Sequence, residues 1–414
     1  MRARRSKECL AKGGGAAILA PPGARRAGAI GDNRVMLRLA INAVPLRSPL
    51  TGVGQYIRGL MAAIETRGDV EARYFYGSHW GRQAVASPTA AIDDVKRVVK
   101  KVLPYPYIVS RTGQRLVFAG GVRLARPHVY HEPNYAAFPW NGPMVVTVHD
   151  LSFVRHPESH PRDRLEHLAR HLPGTLARAA HVITDSETVR DEAVRHFGLD
   201  PRRVTAIHLG VGAEFAPRGP EATAAVLAKH GLAHGGYVLS VGTLEPRKNL
   251  VLALRAWASL PAAVRGVRPL VVAGMKGWLT ESLVPLVERL EREGLVRFLG
   301  FVAQEDLPLL YAGALAVAYP SRYEGFGLPV VEAMACGVPV VTSTASCLPE
   351  VAGDAALLVD PDDEAAMAQA LRSLLEDAAL RGRLAAAGIA RAREFTWARC
   401  AERTVAVYRA VARW

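Results

Sequence analysis

A chain of 414 residues, half of them apolar, has enough material for two domains with separate cores. No apolar run approaches the roughly 20 residues of a membrane-crossing helix, and AAILA, within the first 34 residues, is too short for a secretory signal core. The formal net charge of +14 is segmental: residues 1–34 hold eight Lys/Arg against two acids and residues 95–127 hold eight against none. The remainder is neutral and shows no nucleic-acid recognition motif, so no nucleic-acid partner is expected.

Residues 1–34 are rich in Gly, Ala and Arg, lack apolar periodicity and read as a disordered basic tail, with Met36 a candidate start. MLRLAINAV (36–44) reads as a first strand, followed by a glycine-bearing loop with Gly52 and Gly54 and then a helix, GQYIRGLMAAIETR. ARYFYG, HVYHEP, MVVTVHD (144–150), HVITDS (181–186) and RVTAIHLGV continue as strands, and GAEFAPRGPEAT (212–223) has the composition of a linker. A second series follows: YVLSVG (237–242), PLVVAG, VRFLGF, LAVAYP, VPVVTS and ALLVD, with helical patterns between most of them. Short apolar strands alternating with helices predict two α/β domains, each a doubly wound, Rossmann-like parallel sheet, over 35–215 and 216–414 and facing a common cleft. The last helix, within 396–414, is amphipathic and is expected to cross back to the first domain. Cys9, Cys336, Cys347 and Cys400 lack metal-ligand spacing and read as free thiols of a cytoplasmic protein.

In open α/β sheets ligands bind at the carboxyl ends of the strands, and the chemistry-bearing residues cluster there. Glu324 and Glu332 bracket the turn EGFGLP between two apolar strands, with Pro329 suited to the start of a helix and Gly337 to its end. The backbone of Gly325, Phe326, Gly327 and Leu328 is open to an anion beside that helix N-terminus. VGTLEPRKNL (241–250) sets Arg247 and Lys248 just before another helix, a diphosphate site in which fixed charge adds to the helix dipole. Together these are suited to hold a nucleotide-linked, hydroxyl-rich molecule, and a nucleotide sugar is the expected ligand. His167 and His171, four apart, have metal-ligand spacing but read as a solvated helix face. With no Asp-x-Asp motif at a strand end, neither an essential divalent ion nor any other cofactor is expected. The absence of GxGxxG after a strand disfavours a dehydrogenase.

VGTLEPRKNL, LGFV, YPSRYEGFGLPVVEAMACGVPVV and LPEVAGDAALLVDP, taken together, resemble the retaining glycosyltransferases of family four, which have the GT-B fold. The resemblance runs from about Leu37 onward. It implies a hexosyltransferase using a nucleotide sugar, with Glu324 on hydroxyls of the transferred sugar, Glu332 on the ribose, and Arg247 and Lys248 on the diphosphate. Gly52 and Gly54 would approach the donor from the first domain, and His149 would face the sugar. Many relatives carry Arg or Lys where this chain has Thr243, which shifts weight onto Arg247 and Lys248. His131 and Glu132 are expected to border the acceptor channel, and Asp150 to orient its loop. HDLSF with VGTLEPRKNL looks most like mannosyltransferases of polysaccharide and O-antigen assembly, so GDP-mannose is the first choice of donor and UDP-sugars the second. A nucleotide-sugar epimerase is the nearest rival, disfavoured by EPRKN and EGFGLP. The basic, partly amphipathic segment 95–127 would seat the protein on an anionic membrane, peripherally on the inner face of the plasma membrane, to reach a lipid-linked glycan acceptor.

Overall fold

The computed structural model describes residues 35–47, 52–83, 106–275 and 283–412, the side chains of 106–112 excepted. The basic tail, Thr51 and the 95–105 part of the second basic segment lie outside the described residues. Among the described residues, thirteen strands form two sheets. The first contains β1 (Leu37–Asn42), β2 (Val70–Phe75), β3 (Trp80–Gly81), β4 (Val129–Glu132), β5 (Met144–Val148), β6 (His181–Thr184) and β7 (Val204–Ala206), in the order β3-β2-β1-β4-β5-β6-β7. Every pairing in it is parallel except the short edge strand β3 against β2.

The second sheet is wholly parallel and contains β8 (Val238–Val241), β9 (Leu270–Ala273), β10 (Val296–Gly300), β11 (Ala316–Tyr319), β12 (Val340–Ser343) and β13 (Leu357–Val359), in the order β10-β9-β8-β11-β12-β13. In both sheets the strand order reverses beside the first strand, between β1 and β4 and between β8 and β11. A crevice opens there at the carboxyl edge.

Successive strand residues point to opposite faces, and both faces are apolar. Leu39 and Ile41 enter one cluster and Ala40 another; Val317 and Tyr319 separate in the same way from Ala316 and Ala318. The helices that concern the site are α1 (Gly52–Glu65), α2 (Pro106–Ala125), α3 (Arg162–Arg178), α4 (Glu187–Phe197), α5 (Leu250–Ser259), α6 (Leu328–Ala335) and α7 (Trp397–Val411).

Helix α7 leaves the second sheet and lies on the first domain, against α1 and β6. Its Trp397 ring occupies the space that a side chain at Gly59 would need. The Tyr408 hydroxyl is hydrogen-bonded to His131 Nδ1 (2.6 Å), and Arg409 Nη2 donates to Asp69 Oδ2 (3.0 Å). Cys400, Val405 and Tyr408 are buried in this seam, each large apolar side chain contributing about 1.5–3 kcal/mol.

The two sheets also meet near the crevice. Ser186, which caps α4, donates through Oγ to the Gly325 carbonyl (2.8 Å), and Leu151 N–H donates to the Tyr323 hydroxyl (3.0 Å). Glu350 reaches across to the start of α4. Its carboxylate accepts from Glu187 N–H (2.8 Å), Thr188 N–H (3.0 Å), Thr188 Oγ1 (2.9 Å) and His208 Nε2 (2.7 Å). Burial alone would raise this carboxyl; the four donors outweigh it and bring it to about 2.

Candidate active site

A cavity of about 370 Å³ lies between the carboxyl edges of the two sheets. Its second-domain wall is built first by the chain leaving β8. Gly242 and Thr243 lead into a 3-10 turn, Pro246–Lys248, and Asn249 adopts the left-handed region (φ 56°) before α5 begins. Asn249 Nδ2 anchors this corner by donating to the carbonyls of Pro320 (3.1 Å) and Pro361 (2.8 Å). The tight turn delivers two consecutive cations, Arg247 and Lys248, to the cavity.

Glu324 holds both cations. Its Oε2 accepts from Arg247 Nη1 (3.1 Å), and its Oε1 accepts from Lys248 Nζ (2.7 Å), the Tyr319 hydroxyl (2.7 Å) and Ser321 Oγ (2.6 Å). Burial alone would raise the Glu324 carboxyl, but Lys248 and Arg247 win and hold it at about 2. Burial lowers Lys248, opposed by Glu324. Oε1 is thus crowded by three donors while Oε2 takes only Arg247, and Glu324 fixes the two cations in place.

The turn after Glu324 requires glycine at two positions. A Cβ on Gly325 would overlap the His149 carbonyl oxygen and lie 3.2 Å from Asp150 Cβ, so only glycine lets the two domains approach here. Gly327 has φ 97° and caps α6. Phe326, Gly327, Leu328 and Thr243 line the cavity, as does Glu332 one turn into α6. No side-chain hydrogen bond with ordinary geometry reaches the Glu332 carboxylate among the described residues, although the Tyr311 hydroxyl stands beside it. Burial pushes this carboxyl up to about 7, with Tyr311 drawing it part of the way back and the Glu214 charge raising it.

The first domain supplies the opposite wall. The motif around Gly52 and Gly54 is not a loop there: it is already the first turn of α1. At about 100° per residue, positions 52 and 54 point away from each other. Gly52 faces the cavity with Val53 and Gln55, whereas Gly54 is buried and does not line it. His149 lines the cavity, yet its ring nitrogens are both engaged, Nδ1 with Asp185 Oδ2 (2.8 Å) and Nε2 with the Pro133 carbonyl (2.7 Å). Burial would lower this imidazole; the Asp185 carboxylate outweighs that and raises it. Wherever the shared proton rests between Nδ1 and Oδ2, neither nitrogen is free to serve a substrate as a base.

His131 and Glu132, expected at the acceptor channel, are fully buried away from the cavity. Glu132 accepts from Asn42 Nδ2 (3.0 and 2.9 Å), the Tyr130 hydroxyl (2.6 Å) and Asn134 N–H (3.1 Å), and His131 bridges Tyr408 and Thr147. They pin the end of β4 and the seat of α7. Burial lowers His131 to about 3, so it is neutral. Asp185, Ser152, His160 and Tyr135 line the cavity without a local motif that announces them. One signal existed: Val148 pairs with Thr184 across β5 and β6, so the next residues, His149 and Asp185, fall side by side. Among the described residues no group of three His, Cys, Asp or Glu side chains is placed to hold a metal ion.

Residues 50–215 match the family model described as Glycosyltransferase Family 4, and residues 228–391 match that described as Glycosyl transferases group 1. The O-antigen chain mannosyltransferase B of Escherichia coli is 36% identical over 381 residues, covering 90% of this chain and 100% of that protein. Sucrose-phosphate synthase from Thermosynechococcus elongatus superimposes with a TM-score of 0.70 at 21% identity, over 90% of this chain and 98% of that one. HepE of Anabaena, solved with UDP and glucose, does so with a TM-score of 0.67 at 20% identity, over 90% and 99%. The architecture is thus the GT-B fold, and the chain belongs to the family-four glycosyltransferases.

Proposed function

We propose that the protein is a retaining mannosyltransferase that takes mannose from GDP-mannose and adds it to a lipid-linked glycan during cell-surface polysaccharide assembly. The observation that carries this reading is the pair of cations, Arg247 and Lys248, clamped by Glu324 and lining the cavity together with the Glu332 carboxylate. A nucleoside diphosphate sugar complements this wall: diphosphate at the cations, ribose hydroxyls donating to Glu332, and the base against the exposed Phe301 at the rim. The similarity to an O-antigen chain mannosyltransferase supports mannose as the sugar.

Transfer proceeds with the acceptor hydroxyl attacking the anomeric carbon on the face from which the diphosphate departs. The bond from carbon to phosphate oxygen breaks with its electron pair going to that oxygen, which takes the hydroxyl proton. Arg247 and Lys248 meet the charge that gathers on the leaving group, so catalysis rests on preorganised electrostatics and positioning. His149 is not the base in this scheme; with Asp185 it props the wall behind the sugar.

The membrane part of the proposal is supported by α2. Leu116 and Leu124, eight residues apart on one helix face, are 72% and 88% exposed, with Arg115, Arg123 and Arg126 exposed beside them. No helix among the described residues is long and apolar enough to cross a membrane. A thermal-shift screen of GDP-mannose against UDP-sugars, followed by product analysis, tests the donor. A donor at a hundred times its Kd stabilises the fold by about 2.7 kcal/mol. Stabilisation by UDP-sugars alone would overturn the choice of GDP-mannose, and no response to any nucleotide sugar would overturn the function.

A further inference from the structure

We propose that Asp150 accepts, through Oδ2, the hydrogen bond of the attacking acceptor hydroxyl and thereby orients the second substrate against the donor. This rests on the transferase reading above and assigns a group to the half of the reaction that the cations and Glu332 do not serve.

Asp150 follows β5 at the carboxyl edge of the first sheet and lines the cavity. Its Cβ packs beside Gly325, which brings it next to the turn that carries Glu324, and Arg247 and Glu324 are among its charged neighbours. One of its two oxygens is fully occupied: Oδ1 accepts from Ser152 N–H (3.0 Å), Ser152 Oγ (2.7 Å) and the Tyr135 hydroxyl (3.2 Å). Ser152 is held in turn by His160, whose Nε2 lies 2.9 Å from Ser152 Oγ; since that hydroxyl donates to Asp150, His160 donates to it. The side chain is therefore locked in one orientation by a relay from His160 through Ser152. Oδ2 has no hydrogen-bond partner among the described residues, and the residue is only half buried.

Charge decides which group completes that oxygen. Burial alone would raise the Asp150 carboxyl; the Arg247 charge and the Ser152 hydrogen bonds outweigh it and hold it below its ordinary value. An ionised carboxylate only accepts and repels a diphosphate, so the ligand atom it takes is a hydroxyl next to, and not part of, the charged half of the donor. The acceptor hydroxyl meets that requirement. Its proton still leaves with the phosphate oxygen; Asp150 aims the hydroxyl and does not keep the proton.

The test uses the full chain with GDP-mannose as donor and two acceptors, octyl α-D-mannopyranoside and water. Asp150→Asn keeps an oxygen for Ser152 and Tyr135 but puts an NH2 group where Oδ2 was. The expected result is a fall of about 100-fold in kcat for mannose transfer with GDP-mannose Kd within threefold of the wild type. Ser152→Ala, which keeps the charge but loosens the side chain, is expected to lose about tenfold in kcat, again with unchanged Kd. Wild-type kcat in Asp150→Asn, or a loss of GDP-mannose affinity that parallels the loss of turnover, overturns the assignment. A wild-type enzyme that neither binds nor cleaves GDP-mannose refutes the donor reading itself, a result distinct from either.

Discussion

Donor binding should be linked to pH through Glu332. In the free protein burial holds this carboxyl at about 7, so it is half protonated at neutral pH. Two ribose hydroxyls need an ionised acceptor, and once they donate to it the bound-state pKa falls well below that of the free state. Binding is then unimpeded above pH 8 and weakens as the pH falls through 7, by about twofold at pH 7 and about tenfold at pH 6, the latter about 1.4 kcal/mol.

The same linkage requires about 0.9 proton to be released per donor bound at pH 6 and about 0.1 at pH 8. Calorimetric titration of GDP-mannose in two buffers of different ionisation enthalpy reads both quantities, and the diphosphate diester of a nucleotide sugar has no proton to exchange in this range. Glu332→Gln, which accepts with one oxygen and does not titrate, should bind weakly but without pH dependence. Glu214→Gln, by removing a neighbouring negative charge, should move the midpoint down. A wild-type affinity that is flat from pH 6 to 8, or a slope that survives in Glu332→Gln, would refute the assignment.

Glu324→Ala strands Arg247 and Lys248 without their shared carboxylate; it should cost about 3–5 kcal/mol of stability and abolish transfer, read by denaturant titration and turnover. Lys248→Ala leaves Arg247 on Glu324 and should remain folded while losing transfer at least 100-fold, so near-normal turnover would sink the diphosphate assignment. Gly325→Ala should force the first domain off the turn and cut turnover with little loss of GDP-mannose affinity, with small-angle scattering showing a larger radius of gyration. Glu350 is depressed from 4.5 to about 2, so the stability it adds is present above pH 4.5 and lost as the pH falls towards 2. Acid unfolding of Glu350→Gln should lack that component. Vesicle co-sedimentation tests α2: binding should require anionic lipid and weaken in Leu124→Asp, whereas equal binding to neutral vesicles would count against a membrane seat.

What could be read from the sequence was local. Strand alternation, the turn EGFGLP and the adjacent cations of EPRKN each declare themselves within about ten residues, and the structure brings all three to one cavity. The glycine motif at 52–54 was legible as a site but not as a helix start, because the helix supports two glycines in its first turn where propensity argues for a loop. His131 and Glu132 were misplaced because a histidine and an acid at a strand end look the same whether they face a cavity or a buried partner. Here the partner of His131 is Tyr408, 277 residues further on. The Glu350 contact with α4 likewise joins residues far apart in sequence and is visible only once the two sheets are brought together, whereas the Asp185 contact with His149 needs β5 and β6 to be paired side by side.

The passage of α7 onto the first domain sets an order of assembly. Val405, Tyr408 and their neighbours complete the apolar seam over α1 and satisfy His131. Early in synthesis, therefore, the first domain emerges with an open groove and with His131 held only through Nε2 by Thr147, and must wait until nearly two hundred further residues have been made before it is closed. A nascent chain stalled before Trp397 should be protease-sensitive in its first half, and an isolated first domain should recover its stability when a peptide of residues 397–411 is supplied in trans.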